Sequence, residues 1–235
     1  MSKYLGLDMA QLSLYKDNQL MAFNKPPGIA VQSQAKPDLH QLANAYAQIP
    51  LHVVHRIDQP ASGLVLFAKN AKAAAHMQHQ FATGSVRRSY HALVKKLPVP
   101  NENRLQHFLL KMNRQNKSLV VDTEVPGAQS SVLTYRWISS SDTYHLLEIF
   151  LSTGRHHQIR AQLAAIGSPI KGDVKYGDRR SNRDRSIHLH ASGISVDHPV
   201  SGESIHISAP APDEVLWNFF REEMTGVPES RPDQI

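Results

Sequence analysis

Asp58 is the one carboxylate of a short polar loop, His55-Arg56-Ile57-Asp58-Gln59-Pro60-Ala61, which runs straight into the apolar stretch 62–68. A single acid beside a guanidinium and an imidazole suits nucleophilic or electrostatic work at one reacting centre. Pro60 stiffens the approach. The following run, Ser62-Gly63-Leu64-Val65-Leu66-Phe67-Ala68, is small, β-branched and aromatic, the composition of a buried strand. A short loop on a rigid strand mounts a reactive group well. On these residues alone a plainer reading stays open, in which Asp58 pairs Arg56 or caps the turn before Ser62.

The second concentration of chemistry is Arg155-His156-His157-Gln158-Ile159-Arg160. Ile159, Leu163 and Ile166 recur at helical spacing and Gly167 closes the run, with Ser152 or Thr153 expected as the cap. Basic groups therefore crowd a helix N-terminus, where the dipole favours acids; an anion bound among them reconciles the two. Arg160 lies one turn in and is held by the helix. Farther on, Arg179, Arg180, Arg183 and Arg185 fall in seven residues otherwise made of Ser, Asn and Asp, a loop suited to phosphates. The competing reading is a solvated turn partly neutralised by Asp178 and Asp184. His76 and His79 have a spacing a metal could use, but no third ligand or adjacent acid is in view. His188 and His190 face the same way on a strand, where sheet-face packing or RNA contact is expected before a metal site.

These groups need a scaffold. Residues 12–15 and 20–24 read as strands around a turn, broken by Lys25-Pro26-Pro27-Gly28. A helix is expected from Pro37 to Ile49, with Pro50 ending it. Asn70 caps a second helix, with Ala74, Met77 and Phe81 on its buried stripe and Gly84 at its end. Residues 87–96 form a strand on which Tyr90, Ala92 and Val94 share one face. Residues 105–112 and 117–123 form a hairpin, and 132–138, 144–151, 187–196 and 204–208 are strands. Val215, Leu216, Phe219 and Phe220 mark a last amphipathic helix. Residues 225–235 read as a frayed tail. Strands joined by turns, with three or four helices, argue for an α+β fold with a largely antiparallel sheet.

The 235 residues are read as one domain, 1–235. The absence of cysteine excludes disulfides, thiolate metal sites and a cysteine nucleophile. No apolar run reaches the length of a membrane span, and no signal peptide is visible, so the cytoplasm is expected. A net charge of +6 points to a polyanion, nucleic acid before membrane surface.

In this order the pieces resemble the RluA-type pseudouridine synthases. The Asp58 loop matches the family's His-Arg-Leu-Asp…Ser-Gly block, and Lys25-Pro26-Pro27-Gly28…Val31 its Lys-Pro-x-Gly block. Arg88-Ser89-Tyr90-His91-Ala92 is similar to its Lys-x-Tyr-x-Ala strand. Thr153 to Arg160, followed by Gly167-x-Pro169-Ile170-x-Gly172-Asp173-x-x-Tyr176-Gly177, matches its most specific block; Leu189-His190-Ala191 and His198-Pro199 complete the set. The matches span about residues 24–212. Ile57, Ala61 and Arg88 depart mildly from the family pattern, and no separate N-terminal RNA-binding domain is seen, as in the family's short members.

The resemblance implies a bent mixed sheet flanked by helices, with a catalytic cleft between two halves. It implies isomerisation of uridine to pseudouridine in transfer or ribosomal RNA, by a monomer that needs no cofactor and no metal. Asp58 is then the nucleophile or stabilises a ribosyl intermediate, and Tyr90 stacks on the loosened uracil. Arg160 pairs with Asp58, Arg155 being the competitor for that place. Arg56, Arg155 and His157 hold the distorted strand, and Lys171, Arg179 and Arg180 grip phosphates farther out. Two other classes share some of these features. A non-catalytic RNA-binding module has the basic loop but no use for Asp58, Tyr90 and Arg160 together. A metal-dependent hydrolase would use the histidines, yet no His-Glu-x-x-His pattern is present.

Overall fold

A computed structural model describes residues 6–34, 37–121 and 123–225. Strand pairing is mixed and mostly antiparallel, and the fold is α+β. The chain divides into two compact units: one runs up to Arg88 and includes His190–Pro212, and the other comprises Ser89–Leu189 and the chain from Asp213.

The first unit contains β1 (Ser13–Lys16), β2 (Leu20–Lys25), β3 (His52–Val53), β4 (Ser62–Ala68), β10 (Leu189–Asp197) and β11 (Ser204–Ser208), with helices α1 (Met9–Leu12), α2 (Leu39–Ala47) and α3 (Ala71–Thr83). Every residue of β4 is buried, as its composition requires. It pairs antiparallel with β2 from Leu20↔Ala68 to Lys25↔Gly63, and parallel with β10 through His190↔Ser62 and Ala191↔Gly63. Gly63, at φ 115°, lies so close to the Ala191 backbone that a Cβ there would collide with it. Helix α3 forms between the expected caps: Asn70 Oδ1 accepts from the Ala73 N–H, and Gly84 takes φ 76°. Its Ala73, Ala74 and Met77 pack on Leu20, Leu64, Leu66 and Ile194. Burying each large side chain of this cluster contributes about 1.5–3 kcal/mol.

Helix α2 starts two residues later than the sequence suggests. Asp38, not the ring of Pro37, makes the start, its carboxylate accepting from the Gln41 N–H. On β4's other side, Phe67 meets Phe23 edge-on and stacks with His40 of α2, at ring separations of 6.1 and 5.9 Å.

The second unit is an antiparallel sheet in the order β5 (Arg87–Val94), β9 (His145–Leu151), β8 (Ala128–Ser140), β6 (Glu102–Met112) and β7 (Lys117–Val121). Tyr90 lies opposite Ile149, and Ile149 opposite Tyr135. Helix α4 (Gln158–Ala165) sets Ala161 against Leu109 and Tyr176, with Val120 and Ala164 around them. Strands β6 and β8 are longer than expected, because their ladder extends from Glu102↔Arg136 to Leu110↔Ala128. The last helix is split into α5 (Val215–Phe219) and α6 (Arg221–Thr225). Its buried residues are Trp217 and Phe220, whereas Val215 and Phe219 are exposed, contrary to the expected stripe. The tail expected to fray lies, beyond Thr225, outside the described residues.

Candidate active site

The Asp58 loop is held at both ends by side chains of its own unit. At its start, the Nε2 of His55 accepts the Leu66 N–H at 2.8 Å, closing the corner where β3 has left the β4 ladder. The ring stacks on Phe81 at 5.1 Å. Burial, aided by the nearby Arg88 charge, pushes its pKa down to about 3, so the imidazole is neutral with its proton on Nδ1.

At the other end stands Lys25, fully buried at 0% exposure. Its Nζ donates toward four backbone carbonyls, those of Pro26 at 2.9 Å, Ile29 at 2.9 Å, Gln59 at 3.2 Å and Ala61 at 2.6 Å. Gly28 and Gln59 are laced together as well. The Gly28 N–H donates to Gln59 O at 2.8 Å, and Gln59 Nε2 returns a bond to Gly28 O at 2.9 Å. Gly28 takes φ 90° to make this turn. Within the loop, the Ala61 N–H donates to Asp58 O at 3.1 Å. The Lys-Pro-Pro-Gly segment is thus the seat of the Asp58 loop. Burial draws the Lys25 pKa down to about 7, opposed by the charge of Asp58. Lysine is a surface residue by type, and nothing local in the sequence announces its burial among these carbonyls. Asp58 itself is half-buried and Arg56 exposed.

In the second unit Tyr90 is buried at 8% exposure on β5. Arg160 is buried too, and its guanidinium forks onto one carboxylate: Nε donates to Asp173 Oδ2 at 2.6 Å and Nη2 to Asp173 Oδ1 at 2.8 Å. The Tyr176 ring lies 4.9 Å from the guanidinium carbon. Arg155 is exposed, its Nε donating to Ser130 O at 3.1 Å.

The N-cap of α4 is neither Ser152 nor Thr153 but His157, in the left-handed region at φ 54°. Thr153 instead bonds Gln158 Oε1 at 2.8 Å and the Val132 N–H at 2.9 Å, fastening the entry loop to β8. His157 is buried, with Nδ1 3.0 Å from the Tyr176 hydroxyl. Burial and the charges of Arg160, His156, Lys175 and Lys111 depress its pKa to about 2. Its side chain holds Tyr176 rather than projecting into solvent.

Lys171 is half-buried and ties into the arginine loop, donating to Asn182 Oδ1 at 2.6 Å. Asn182 in turn bonds Ser186 O at 2.9 Å and meets His188 Nδ1 at 3.0 Å. Arg179, Arg180, Arg183 and Arg185 all remain exposed around this pin. Among the described residues no cluster of three or more His, Asp or Glu could hold a metal ion, and no helix is long and apolar enough to cross a membrane. His76 and His79 are exposed.

Residues 19–165 match the family described as RNA pseudouridylate synthase. The chain is 31% identical over 219 residues to the tRNA pseudouridine synthase C of Salmonella typhi, covering 83% of this chain and 84% of the relative. It is 31% identical over 218 residues to the ribosomal large subunit pseudouridine synthase C of Vibrio vulnificus (strain CMCP6), covering 88% and 68%. Against the tRNA pseudouridine synthase C of Pectobacterium carotovorum, at 30% identity, it spans 58% of the relative's length. In fold it is similar to human RNA pseudouridylate synthase domain containing 4, with a TM-score of 0.74 and 24% identity, over 91% of this chain and 93% of that one.

Proposed function

Because the chain belongs to the RluA-type family of RNA pseudouridine synthases, we propose that it isomerises uridine in transfer or ribosomal RNA with Asp58 as the group that meets the ribose. The observation that carries this reading is the seat of Asp58. A half-buried carboxylate on a loop fixed by Lys25 and His55, running into a fully buried strand, is a positioned acid rather than a solvated one.

The reaction breaks the bond between C1′ and N1, turns the uracil, and joins C1′ to C5, whose proton is released. Asp58 serves it in its ionised form, either by bonding C1′ or by stabilising the positive charge that develops on the ribosyl group. On the family's blocks, Arg160 supplies the counter-charge to this carboxylate and Tyr90 the ring against the detached base. A tyrosine hydroxyl there could take the C2′ proton if the route passes through a glycal. No redox step occurs, since product and substrate are isomers. The target uridine is flipped from its stack at a cost of a few kcal/mol. Arg56 and Arg155 hold the opened strand, while Lys171, Arg179 and Arg180 contact phosphates outside it.

The test is tritium release from RNA labelled at uridine C5. Asp58→Asn should bind RNA as the natural protein does and release no tritium; undiminished release would remove Asp58 from this role.

A further inference from the structure

We propose that Asp173 is a positioning residue for this reaction: it grips one edge of the Arg160 guanidinium while the Tyr176 ring covers a face, and so fixes the direction in which Arg160 presents its charge. The inference rests on the reading that Arg160 serves the Asp58 carboxylate.

The geometry is that of a mount. An arginine side chain has several rotatable bonds, and at α4 its base is fixed but its head is not. The two bonds to Asp173, through Nε and Nη2, define the plane and the rotation of the guanidinium together, which a single bond would not. Both side chains are out of solvent, at 5% and 1% exposure. Asp173 does not swing either. Its backbone is set by three bonds: its own N–H donates to Ile170 O at 3.0 Å, and its carbonyl accepts from Tyr176 at 3.0 Å and from Asp178 at 3.1 Å. The Tyr176 ring is fixed in turn, since its hydroxyl accepts the Ser118 N–H at 2.8 Å and meets His157 at 3.0 Å.

A purely stabilising ion pair would be an odd use of these residues. Burying two charges costs about what their attraction returns, so the pair is weak ground for stability, and the fixed geometry it gives Arg160 is the use the proposal assigns to it. The fork onto Asp173 leaves Arg160 a defined orientation, and a misplacement of about 1 Å at a reacting centre can cost about 10²-fold in rate.

The experiment is single-turnover and steady-state kinetics on Asp173→Asn, with RNA binding and thermal unfolding measured alongside. Asn keeps the size and one acceptor but cannot accept the fork. The expected result is a kcat lowered about 10²-fold with RNA affinity within about twofold of the natural protein, a loss confined to turnover. An unchanged kcat, or a kcat that falls only together with RNA affinity, overturns the proposal.

If Asp173→Asn does not fold, the Tyr176 pair decides. Tyr176→Leu removes the ring beside Arg160 and should lower kcat well below that of Tyr176→Phe, which keeps the ring and loses only the hydroxyl's bonds to Ser118 and His157. Equal effects of the two contradict the mount. Asp58→Asn separates the levels: turnover by that variant sinks the proposed function itself, whereas an inactive Asp58→Asn beside a fully active Asp173→Asn sinks only this inference.

Discussion

The ammonium of Lys25 lies 2.6 Å from the carbonyl oxygen of Ala61, which ties a fully buried lysine of β2 to the residue that closes the Asp58 turn. Lys25→Met removes the donor for this carbonyl and for those of Pro26, Ile29 and Gln59. A buried acceptor left unmade costs about 1–3 kcal/mol, offset by the relief of burying a charge. The expected net loss is on the order of 2–3 kcal/mol in urea unfolding, together with a kcat lowered at least about tenfold because the Asp58 loop is unseated.

Lys25 also sets a pH signature. Burial lowers its folded pKa to about 7 from an ordinary 10.5. Between those values the unfolded chain binds the proton and the folded chain does not, so this residue makes stability rise with pH across that window. Below pH 7 both states are protonated and the contribution is flat. Urea midpoints taken from pH 6 to pH 9.5, roughly spanning the window, should climb more in the natural protein than in Lys25→Met. Parallel curves would show that Lys25 does not titrate there.

What the sequence displayed and what it hid divide along one physical line. Helix α3 was legible because both its caps, Asn70 and Gly84, are local signals at its own ends. Strand β4 was legible because the run 64–68 behind a short turn is apolar throughout, the composition of a buried strand. The start of α4 was not, since His157, its cap at φ 54°, makes no capping bond with its side chain and bonds Tyr176 instead, 19 residues on. The fork between Arg160 and Asp173 crosses 13 residues with no periodicity to announce it. Lys25 was hidden for a different reason: its four acceptors are backbone carbonyls, which every residue has.

Gly63 and Gly177 form a matched pair of probes, because both sit at strongly positive φ, 115° and 108°. Around Gly177 a Cβ meets nothing within 4 Å, whereas at Gly63 it runs into the Ala191 backbone. Gly177→Ala should therefore cost only the backbone strain, about 1–2 kcal/mol. Gly63→Ala should cost about 3 kcal/mol or more, because β4 and β10 must part. Thermal unfolding of the two variants side by side checks the difference, and equal losses would mean that close strand approach is not what Gly63 provides.

The exposed arginines should act on RNA affinity and not on the chemical step. Replacing Arg179 and Arg180 by Glu is expected to weaken RNA binding and to flatten the salt dependence by about 0.7–0.9 in log–log slope for each phosphate no longer neutralised. At saturating RNA kcat should stay within about twofold. Filter binding at several salt concentrations measures the slope, and an unaltered slope would leave the loop as a solvated turn pinned by Asn182.

Acid should unfold the protein through its buried neutral histidines. Burial lowers the pKa of His55 to about 3 and of His190 to about 4, against an ordinary 6.5, and His157 shifts the same way. Their rings are occupied: His190 Nδ1 lies 2.9 Å from Ser62 Oγ and its Nε2 3.0 Å from Ala209 O, much as His55 is committed to Leu66. Below pH 6.5 the unfolded chain takes up protons that these folded sites refuse, so stability falls as pH falls. The slope is at most about 1.4 kcal/mol per pH unit for each such histidine. Unfolding by urea at pH 6, 5 and 4, roughly the span in which these rings differ between states, should show midpoints dropping steeply. His190→Asn, which keeps a polar partner for Ser62 but has no titrating ring, should drop less steeply, and an identical fall in both would rule out His190 as a contributor.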